Sequence, residues 1–190
     1  YLAKSSSSAN TVYDITVSDF TKDIKEWQTD RIEEYFKANK DIFGDMSVTK
    51  DTIPEHPGFF YKELEAPSET AKFKKDTTND INYTGKLLNG LVFDTTDERI
   101  AKDNGIYSAS RTYKPVRINW GEKYSDITMG SSNSSVVSGF ALTLWQMKAM
   151  EKGIGVFISD YGYQASGSGS SIPGFSPLVF EIELVAKPED

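Results

Sequence analysis

Cysteine is absent from the 190-residue sequence, which excludes disulfides, thiolate nucleophiles and thiolate metal ligands. Long apolar runs are absent as well. No stretch approaches the roughly 18 residues of a transmembrane helix, and no charged segment followed by an apolar one resembles a signal peptide. We therefore expect contact with a membrane only through an N-terminal lipid anchor outside these residues.

Basic residues are too few and too scattered for a nucleic-acid partner. Lys and Arg number 21 against 28 Asp and Glu, which gives a net charge of −7. Affinity for nucleic acids is built largely from clustered Lys and Arg that contact phosphates. The only dense basic run, residues 72–75, is followed by Asp76 and is typical of a solvated loop. We expect no nucleic-acid binding.

Histidine is nearly absent too, because His56 is the only one. It lies between Glu55 and Pro57, so a metal site or a nucleophile–histidine triad would have to be built around a residue of a predicted connector. The favoured interpretation is a solvated loop histidine, and no metal site is expected.

The residues that are present predict one β-rich domain of ordinary size and a smaller N-terminal unit. Residues 1–17, with four consecutive serines, are predicted to be a flexible tether. They are similar to the segment after a processed signal or lipoprotein cysteine, although a plain disordered terminus fits equally well. Residues 18–50 are predicted to form a helical segment and connector, and residues 51–190 the main domain.

The N-terminal unit is predicted to be an amphipathic helix. Apolar residues recur at helical spacing from Ser18 to about Lys40, with Ser18 as N-cap and an end near Asn39. Trp27 and Tyr35 could form a stacking platform, but aromatic residues at this spacing more often belong to the stripe that docks on a neighbour. We predict that both belong to the docking face.

The rest of the chain shows mainly strand patterns. Residues 80–87 and 91–93 flank Asn89-Gly90, a dipeptide that favours a tight hairpin turn. A second helix is predicted through Val137 and Met147, closed by Gly153. Five or six strands and one internal helix predict an α+β domain with an antiparallel sheet. The other predicted strands are residues 59–64, 116–120, 154–158 and 178–185.

Residues 83–94, which read Tyr-Thr-Gly-Lys-Leu-Leu-Asn-Gly-Leu-Val-Phe-Asp, resemble a hairpin of FKBP-type peptidyl-prolyl isomerases. Its usual form is tyrosine-threonine-glycine, hydrophobic positions, a turn, and phenylalanine-aspartate. Later motifs agree in order: residues 136–140 are similar to the family's helix entry, and residues 158–163 and 172–184 complete the pattern. The resemblance covers roughly residues 57–187.

This resemblance implies an antiparallel half-barrel sheet wrapped on a short helix, here with an N-terminal helical extension. It implies isomerisation of X-Pro bonds in polypeptides without a cofactor, in an apolar pocket that could also take macrolide-type ligands. By the same resemblance, the catalytic residues would be Tyr83, Asp94, Tyr163 and Phe180. The substrate-binding residues would be Phe93, Val116, Val136, Val137, Phe140 and Ile172.

Several residues depart from the family pattern. Phe140 stands where the family usually has tryptophan and Val116 where an aromatic residue is common, so both are expected to enlarge the pocket and hold proline less tightly. Gln164 replaces the usual glycine after the pocket tyrosine. Residues 95–113 form an insertion, which either shapes substrate choice or lies across the pocket.

The insertion and the acidic, helix-first layout are similar to cell-envelope FKBPs of Bacteroidota, which are often lipoproteins. A periplasmic or outer-membrane location is therefore expected, and a cytoplasmic one is left open. The favoured function is a prolyl isomerase that assists the folding of exported proteins. The alternative is a weakly active or inactive FKBP-fold module that holds polypeptides as a chaperone.

Overall fold

A computed structural model describes residues 2–4, 10–12, 23–66 and 78–185 of the chain. Within the predicted tether it describes two short strands, β1 (Leu2–Lys4) and β2 (Asn10–Val12), which pair antiparallel. Four α-helices follow in the described part: α1 (Ile24–Ala38), α2 (Lys40–Phe43), α3 (Glu98–Asp103) and α4 (Ser138–Gln146). None of the described helices has the length and apolarity needed to span a membrane.

Helix α1 begins later than predicted. Its N-cap is Asp23, whose carboxylate accepts hydrogen bonds from the backbone N–H groups of Lys25 (2.9 Å) and Glu26 (3.1 Å), and Ser18 lies outside the described residues. Asp satisfies the free N–H groups of a first turn as well as Ser does. The sequence alone therefore did not distinguish Asp23 from Ser18 as the N-cap. The predicted end near Asn39 is confirmed.

The docking face of α1 also differs from the predicted one. Gln28, Ile32 and Phe36, spaced four residues apart, are the buried positions, whereas Trp27 is 36% exposed. Consecutive positions on a helix are about 100° apart, so burial of the 28–32–36 line leaves Trp27 at its edge. Tyr35 does pack inward, edge-on to Phe43 with ring centroids 5.5 Å apart.

The main sheet is antiparallel and open, and the described residues contribute eight strands to it. The order is β3-β9-β10-β4-β6-β7-β8, with β5 also paired to β4. The predicted α+β class is confirmed, but the predicted count missed the two-residue strands β7 and β8. The strands are β3 (Phe59–Glu65), β4 (Thr78–Leu87), β5 (Val92–Thr95), β6 (Val116–Asn119), β7 (Thr128–Met129), β8 (Ser134–Ser135), β9 (Lys152–Phe157) and β10 (Leu178–Val185).

Strand β10 lies at the centre, hydrogen-bonded to β9 on one side and β4 on the other. Side chains alternate across a strand, so Leu178, Phe180, Ile182 and Leu184 enter the core on the α4 side. Val179 enters a second core, formed with Ile32 and Phe36 of α1. Helices therefore cover both faces of the sheet at β10.

Helix α4 is shorter than predicted. It ends at Gln146, with Met147 as C-cap, whereas Gly153, which was predicted to close it, lies within β9. A glycine is needed there because a Cβ would collide with the ring of Tyr61 on the adjacent strand. The predicted Asn89-Gly90 turn is confirmed, since the Gly90 N–H donates to the Leu87 carbonyl at 2.9 Å.

The helix–sheet core predicts that α1 is a structural part of the domain. Phe36→Ala should lower the free energy of unfolding by about 3–5 kcal/mol, because it leaves a cavity under the sheet. Trp27→Ala, on the exposed edge of the same helix, should cost about 1 kcal/mol or less. Urea titration of both variants measures this, and equal small losses would show that α1 does not pack on the sheet in solution.

Candidate active site

A cavity of about 700 Å³ lies between α4, the central strands and the chain near residue 170. Among the described residues, its wall combines aromatic and aliphatic side chains with a single carboxylate and a single guanidinium. The lining residues are Tyr83, Phe93, Asp94, Arg111, Met129, Ser135, Val136, Val137, Phe140, Tyr163, Ser168, Gly169, Ser171, Ile172 and Phe180.

Two glycines allow Phe180 to occupy the centre of the sheet at this cavity. In the strand register Phe180 lies between Gly85 of β4 and Gly155 of β9. A Cβ on Gly85 would come within 2.6 Å of Phe93 and 2.8 Å of Phe180, and one on Gly155 would collide with Thr143 of α4. The missing side chains therefore let Phe93 approach Phe180 and let α4 approach the sheet.

The base of the cavity is apolar and closely packed. Phe140 of α4 is 3% exposed and meets Phe180 edge-on, with ring centroids 5.1 Å apart. Tyr83 meets Phe140 in the same way at 5.5 Å, and Phe180 stacks on Phe157 at 5.9 Å. Edge-to-face and offset contacts of this kind are favourable geometries for aromatic pairs, so these rings hold one another in place.

The carboxylate of Asp94 is held from two directions. The Tyr83 hydroxyl donates to Oδ2 at 2.6 Å, and the Arg111 guanidinium donates to Oδ1 as one half of an ion pair. Tyr83 comes from β4, Asp94 from β5, and Arg111 from the long segment after α3. Charge-assisted bonds to two different elements fix the orientation of this carboxylate at the edge of the cavity.

The two tyrosines of the cavity stay protonated at neutral pH. Burial, followed by the nearby Asp94 carboxylate, raises the pKa of Tyr83, and the same two causes in the same order raise the pKa of Tyr163. Both causes disfavour the phenolate anion. Each tyrosine therefore keeps a hydroxyl that can donate a hydrogen bond.

Two donors at the cavity are free among the described residues. The Tyr163 hydroxyl has no hydrogen-bond partner in residues 23–66 and 78–185, and over the same ranges no acceptor engages the Val137 N–H. Val137 is the N-cap of α4, where backbone N–H groups lack helical partners. A ligand carbonyl in the cavity can accept from either group.

Nine of the ten predicted site residues line the cavity, and their roles remain predictions. Val116 is the exception. It lies half-buried at the start of β6, paired with Ile81 and packed against the core, and it is not a lining residue. Its predicted place on the wall was wrong because β6 pairs with the N-terminal half of β4, whereas Gly85 lies in the C-terminal half.

The sequence interpretation also missed lining residues, of which Arg111 is the most important. It lies within the predicted insertion, and no periodicity or motif distinguished it from the other basic residues there. Among residues 95–113, all of which the structure describes, Arg111 alone lines the cavity. The insertion therefore borders the cavity and does not lie across it. The other missed residues are Met129, Ser135, Ser168, Gly169 and Ser171.

The insertion has a structure of its own. Helix α3 is capped by Asp97, whose carboxylate accepts from the Ile100 N–H at 2.9 Å. Tyr107 and Tyr113 stack with ring centroids 5.5 Å apart, and the Arg111 guanidinium lies 5.4 Å from the Tyr113 ring. These contacts support the segment that brings Arg111 to Asp94.

One further loop borders the cavity, whereas the single histidine does not. Ser168 and Gly169 line the cavity, and their loop is closed by paired backbone hydrogen bonds between Ser168 and Ile172 of 2.8 and 3.1 Å. His56, which was expected to be a solvated loop histidine, is partly buried. Its ring lies edge-on to Tyr124, with centroids 5.4 Å apart, and it does not line the cavity.

Comparison with known proteins agrees with this geometry. Residues 69–185 match the family FKBP_C, described as FKBP-type peptidyl-prolyl cis-trans isomerase. FK506-binding protein 1A of Aspergillus fumigatus is 31% identical over 125 residues, which cover 65% of this chain and 90% of that protein. A Haemophilus influenzae protein assigned as an FKBP-type peptidyl-prolyl cis-trans isomerase is 27% identical, over 83% of this chain and 55% of its own length.

A solved structure is similar as well. The crystal structure of a peptidyl-prolyl cis-trans isomerase from Pseudomonas syringae superposes with a TM-score of 0.52 at 25% sequence identity. The alignment covers 88% of this chain and 98% of that one, so it includes most of the described elements.

The Asp94 environment predicts opposite pKa changes at Tyr83 in two variants. Asp94→Asn should lower the Tyr83 pKa, although burial will keep it above the ordinary value of about 10, and Arg111→Gln should raise it further. An NMR titration of ring-¹³C tyrosine measures both. Unchanged values in both variants would show that these charges do not reach Tyr83.

Proposed function

The chain belongs to the FKBP-type peptidyl-prolyl cis-trans isomerase family, and we propose that the cavity between α4 and the sheet is its active site. The observation that carries this proposal is an aromatic base, formed by Phe140 and Phe180, below two donors that have no partner among the described residues, the Tyr163 hydroxyl and the Val137 N–H. A proline ring packs against the aromatic base, and the peptide carbonyls beside it accept hydrogen bonds from the two donors.

The reaction needs no nucleophile. Amide resonance holds an X-Pro bond planar with a barrier of about 18–20 kcal/mol, and uncatalysed exchange takes tens to hundreds of seconds. A catalyst must bind the twisted bond better than either planar form. The twisted amide has lost much of its resonance dipole, so a water-poor cavity disfavours it less than it disfavours the planar amide.

The side chains divide this task between them. The rings of Phe140 and Phe180 receive the pyrrolidine ring, while Tyr163 and Val137 hold carbonyls on the flanking peptide. The Asp94 carboxylate, fixed by Tyr83 and Arg111, lies beside the bound peptide and polarises the site. Because its partners are already in place, the site needs little reorganisation when the bond twists.

The size of the cavity affects how tightly it binds a proline ring. Phe140 presents less surface than the tryptophan usual in the family, and lost apolar contact weakens binding by about 25 cal/mol per Å². Val116 does not line the cavity, so its small side chain does not change the size of the pocket. We propose reduced proline affinity from Phe140 alone.

Macrolide-type FKBP ligands would occupy the same apolar base, and competition between ligand and peptide tests the shared site.

We also propose that the clients are exported proteins and that the protein works in the cell envelope. The support is the resemblance of its acidic, helix-first layout and its 95–113 insertion to envelope FKBPs of Bacteroidota. Fractionation of the source cells, with fatty-acid labelling of the natural protein, tests a lipid-anchored location. Recovery in the cytoplasm without label would contradict it.

A second candidate function is polypeptide holding, which an apolar groove outside the active site favours. The groove, of about 530 Å³, lies between α1 and the β4–β5 turn and is lined by Trp27, Leu88, Pro173 and Pro177 among others. Suppression of client aggregation that persists in Phe180→Ala but is lost in Trp27→Ser would support holding at this groove. Loss in the Phe180 variant alone would assign the effect to the active site.

The proposed active site predicts a graded loss of isomerisation. Phe180→Ala should lower kcat/KM for a proline tetrapeptide about tenfold or more, because burial of a phenylalanine ring is worth roughly 1.5–3 kcal/mol. Tyr163→Phe should lower it by a smaller factor, since one neutral hydrogen bond contributes about 0.5–1.5 kcal/mol. A protease-coupled assay measures the rates.

Val116→Ala is the control for this series. Its side chain lies outside the cavity lining, so its rate should equal that of the unmodified protein. No detectable turnover by the unmodified protein at micromolar concentration would contradict the proposed enzymatic function.

A further inference from the structure

We propose that Gln28 of α1 is a positioning residue, which fixes the loop that carries Tyr163 and so aims a ligand donor into the active site. This inference rests on the proposed function of the cavity. Gln28 lies in α1, outside residues 69–185 that match the family.

Gln28 forms a paired contact with Ser159. Its Nε2 donates to Ser159 Oγ at 3.0 Å, and its Oε1 accepts from the Ser159 backbone N–H at 2.6 Å. Gln28 is 0% exposed and Ser159 1%. Buried amides are costly unless they are hydrogen-bonded, so both groups depend on this contact.

Packing alone does not explain a glutamine at this position. The adjacent buried positions on the same face of α1 are Ile32 and Phe36, which belong to an apolar core. An aliphatic side chain of similar length would fill the same line of the helix without polar atoms to satisfy. The Gln28 amide is needed because it forms hydrogen bonds with Ser159, the residue at the start of the loop.

Backbone hydrogen bonds connect Ser159, the partner of Gln28, to the residues on either side of Tyr163. The Ser159 carbonyl accepts from the N–H groups of Gly162 and Gln164, each at 2.9 Å. These two bonds enclose Tyr163 in a closed turn whose first residue is anchored by Gln28. The turn includes Gln164 at φ +53°, a left-handed conformation that costs free energy for a residue other than glycine, so it needs external anchors.

Other contacts also hold this loop. Ser138 Oγ donates to the Tyr161 carbonyl at 3.3 Å, the Tyr161 hydroxyl donates to the Pro57 carbonyl at 3.2 Å, and the Gly167 N–H donates to the Tyr163 carbonyl at 3.1 Å, but none of them engages Ser159. Lys25 of α1 pairs with Asp160 at 2.6 Å, but both side chains are well exposed, and exposed ion pairs contribute little. The Gln164 carbonyl accepts from the Phe175 N–H at 2.7 Å, which fixes the far end of the turn. The Tyr163 hydroxyl, without a partner in the described residues, takes its position from this backbone.

The test compares Gln28→Met, which keeps the length but removes both hydrogen bonds, with Gln28→Glu, which keeps an acceptor for the Ser159 N–H. Ile32→Val is the matched control, because it trims the same face of α1 without touching the loop. Ser159→Ala, which removes only the hydroxyl, gives a second route if Gln28→Met does not fold. Peptide KM, kcat and the Tyr163 ring-¹³C resonance are measured well below the unfolding temperature.

Gln28→Met should raise the peptide KM by about threefold to tenfold, the effect of one misplaced hydrogen bond, and should shift the Tyr163 resonance. Gln28→Glu should recover part of both, Ser159→Ala should shift the resonance less, and Ile32→Val should leave both unchanged. A destabilised Gln28→Met protein with the original KM and Tyr163 resonance would overturn the inference.

The resonance separates this inference from the proposed function. It is recorded without ligand, so it reports the position of Tyr163 even in a protein that shows no turnover. An inactive unmodified protein would contradict the proposed function, and the inference would then be decided by the Tyr163 resonance alone. An unshifted resonance in both Gln28→Met and Ser159→Ala would overturn it.

Discussion

The central strand β10 is the constraint on which the rest of the structure depends. It is hydrogen-bonded on both sides, so its register cannot slip by one residue without exchanging its two faces. That register places Phe180 between two glycines at the base of the cavity and Val179 beneath α1. The alternation of side chains along β10 therefore positions both the base of the proposed active site and the attachment of the N-terminal helix.

Polar groups complete the site from elements that are distant in sequence. Tyr83 and Asp94 face each other across the β4–β5 hairpin, while Arg111 comes from the insertion and Tyr163 from a loop that α1 anchors. An apolar base alone would bind proline without orienting the bond to be rotated. In the proposed active site, fixed hydrogen-bond donors and one fixed carboxylate would supply this orientation, which is how preorganised sites lower a barrier.

Local patterns explain what could be predicted from the sequence. The β4–β5 hairpin follows from Asn89-Gly90, and β10 follows from the alternation along residues 178–184, so both elements are confirmed. Nine of the residues predicted for the site line the cavity, and their roles stay predictions. The face of α1 was not predicted correctly, because Trp27 and Gln28 are adjacent and only packing decides which is buried. Gly153 was wrongly predicted to end a helix. A glycine in a sequence can mark either a turn or a close contact with a neighbouring side chain, and the sequence does not show which. The positions of Arg111 and Val116 depend on contacts between residues that are distant in sequence. Hydrophobic periodicity does not reveal such contacts.

The most direct measurement is exchange NMR of a peptide with one X-Pro bond, recorded with a small molar fraction of the protein. The account predicts that exchange between the cis and trans signals, which is slow in free peptide, becomes fast enough to give cross-peaks while the cis:trans ratio stays the same. The cross-peaks should weaken in Phe180→Ala. Peptide signals that shift on binding while exchange stays at the uncatalysed rate would contradict the account, because the cavity would then hold proline without turning its bond.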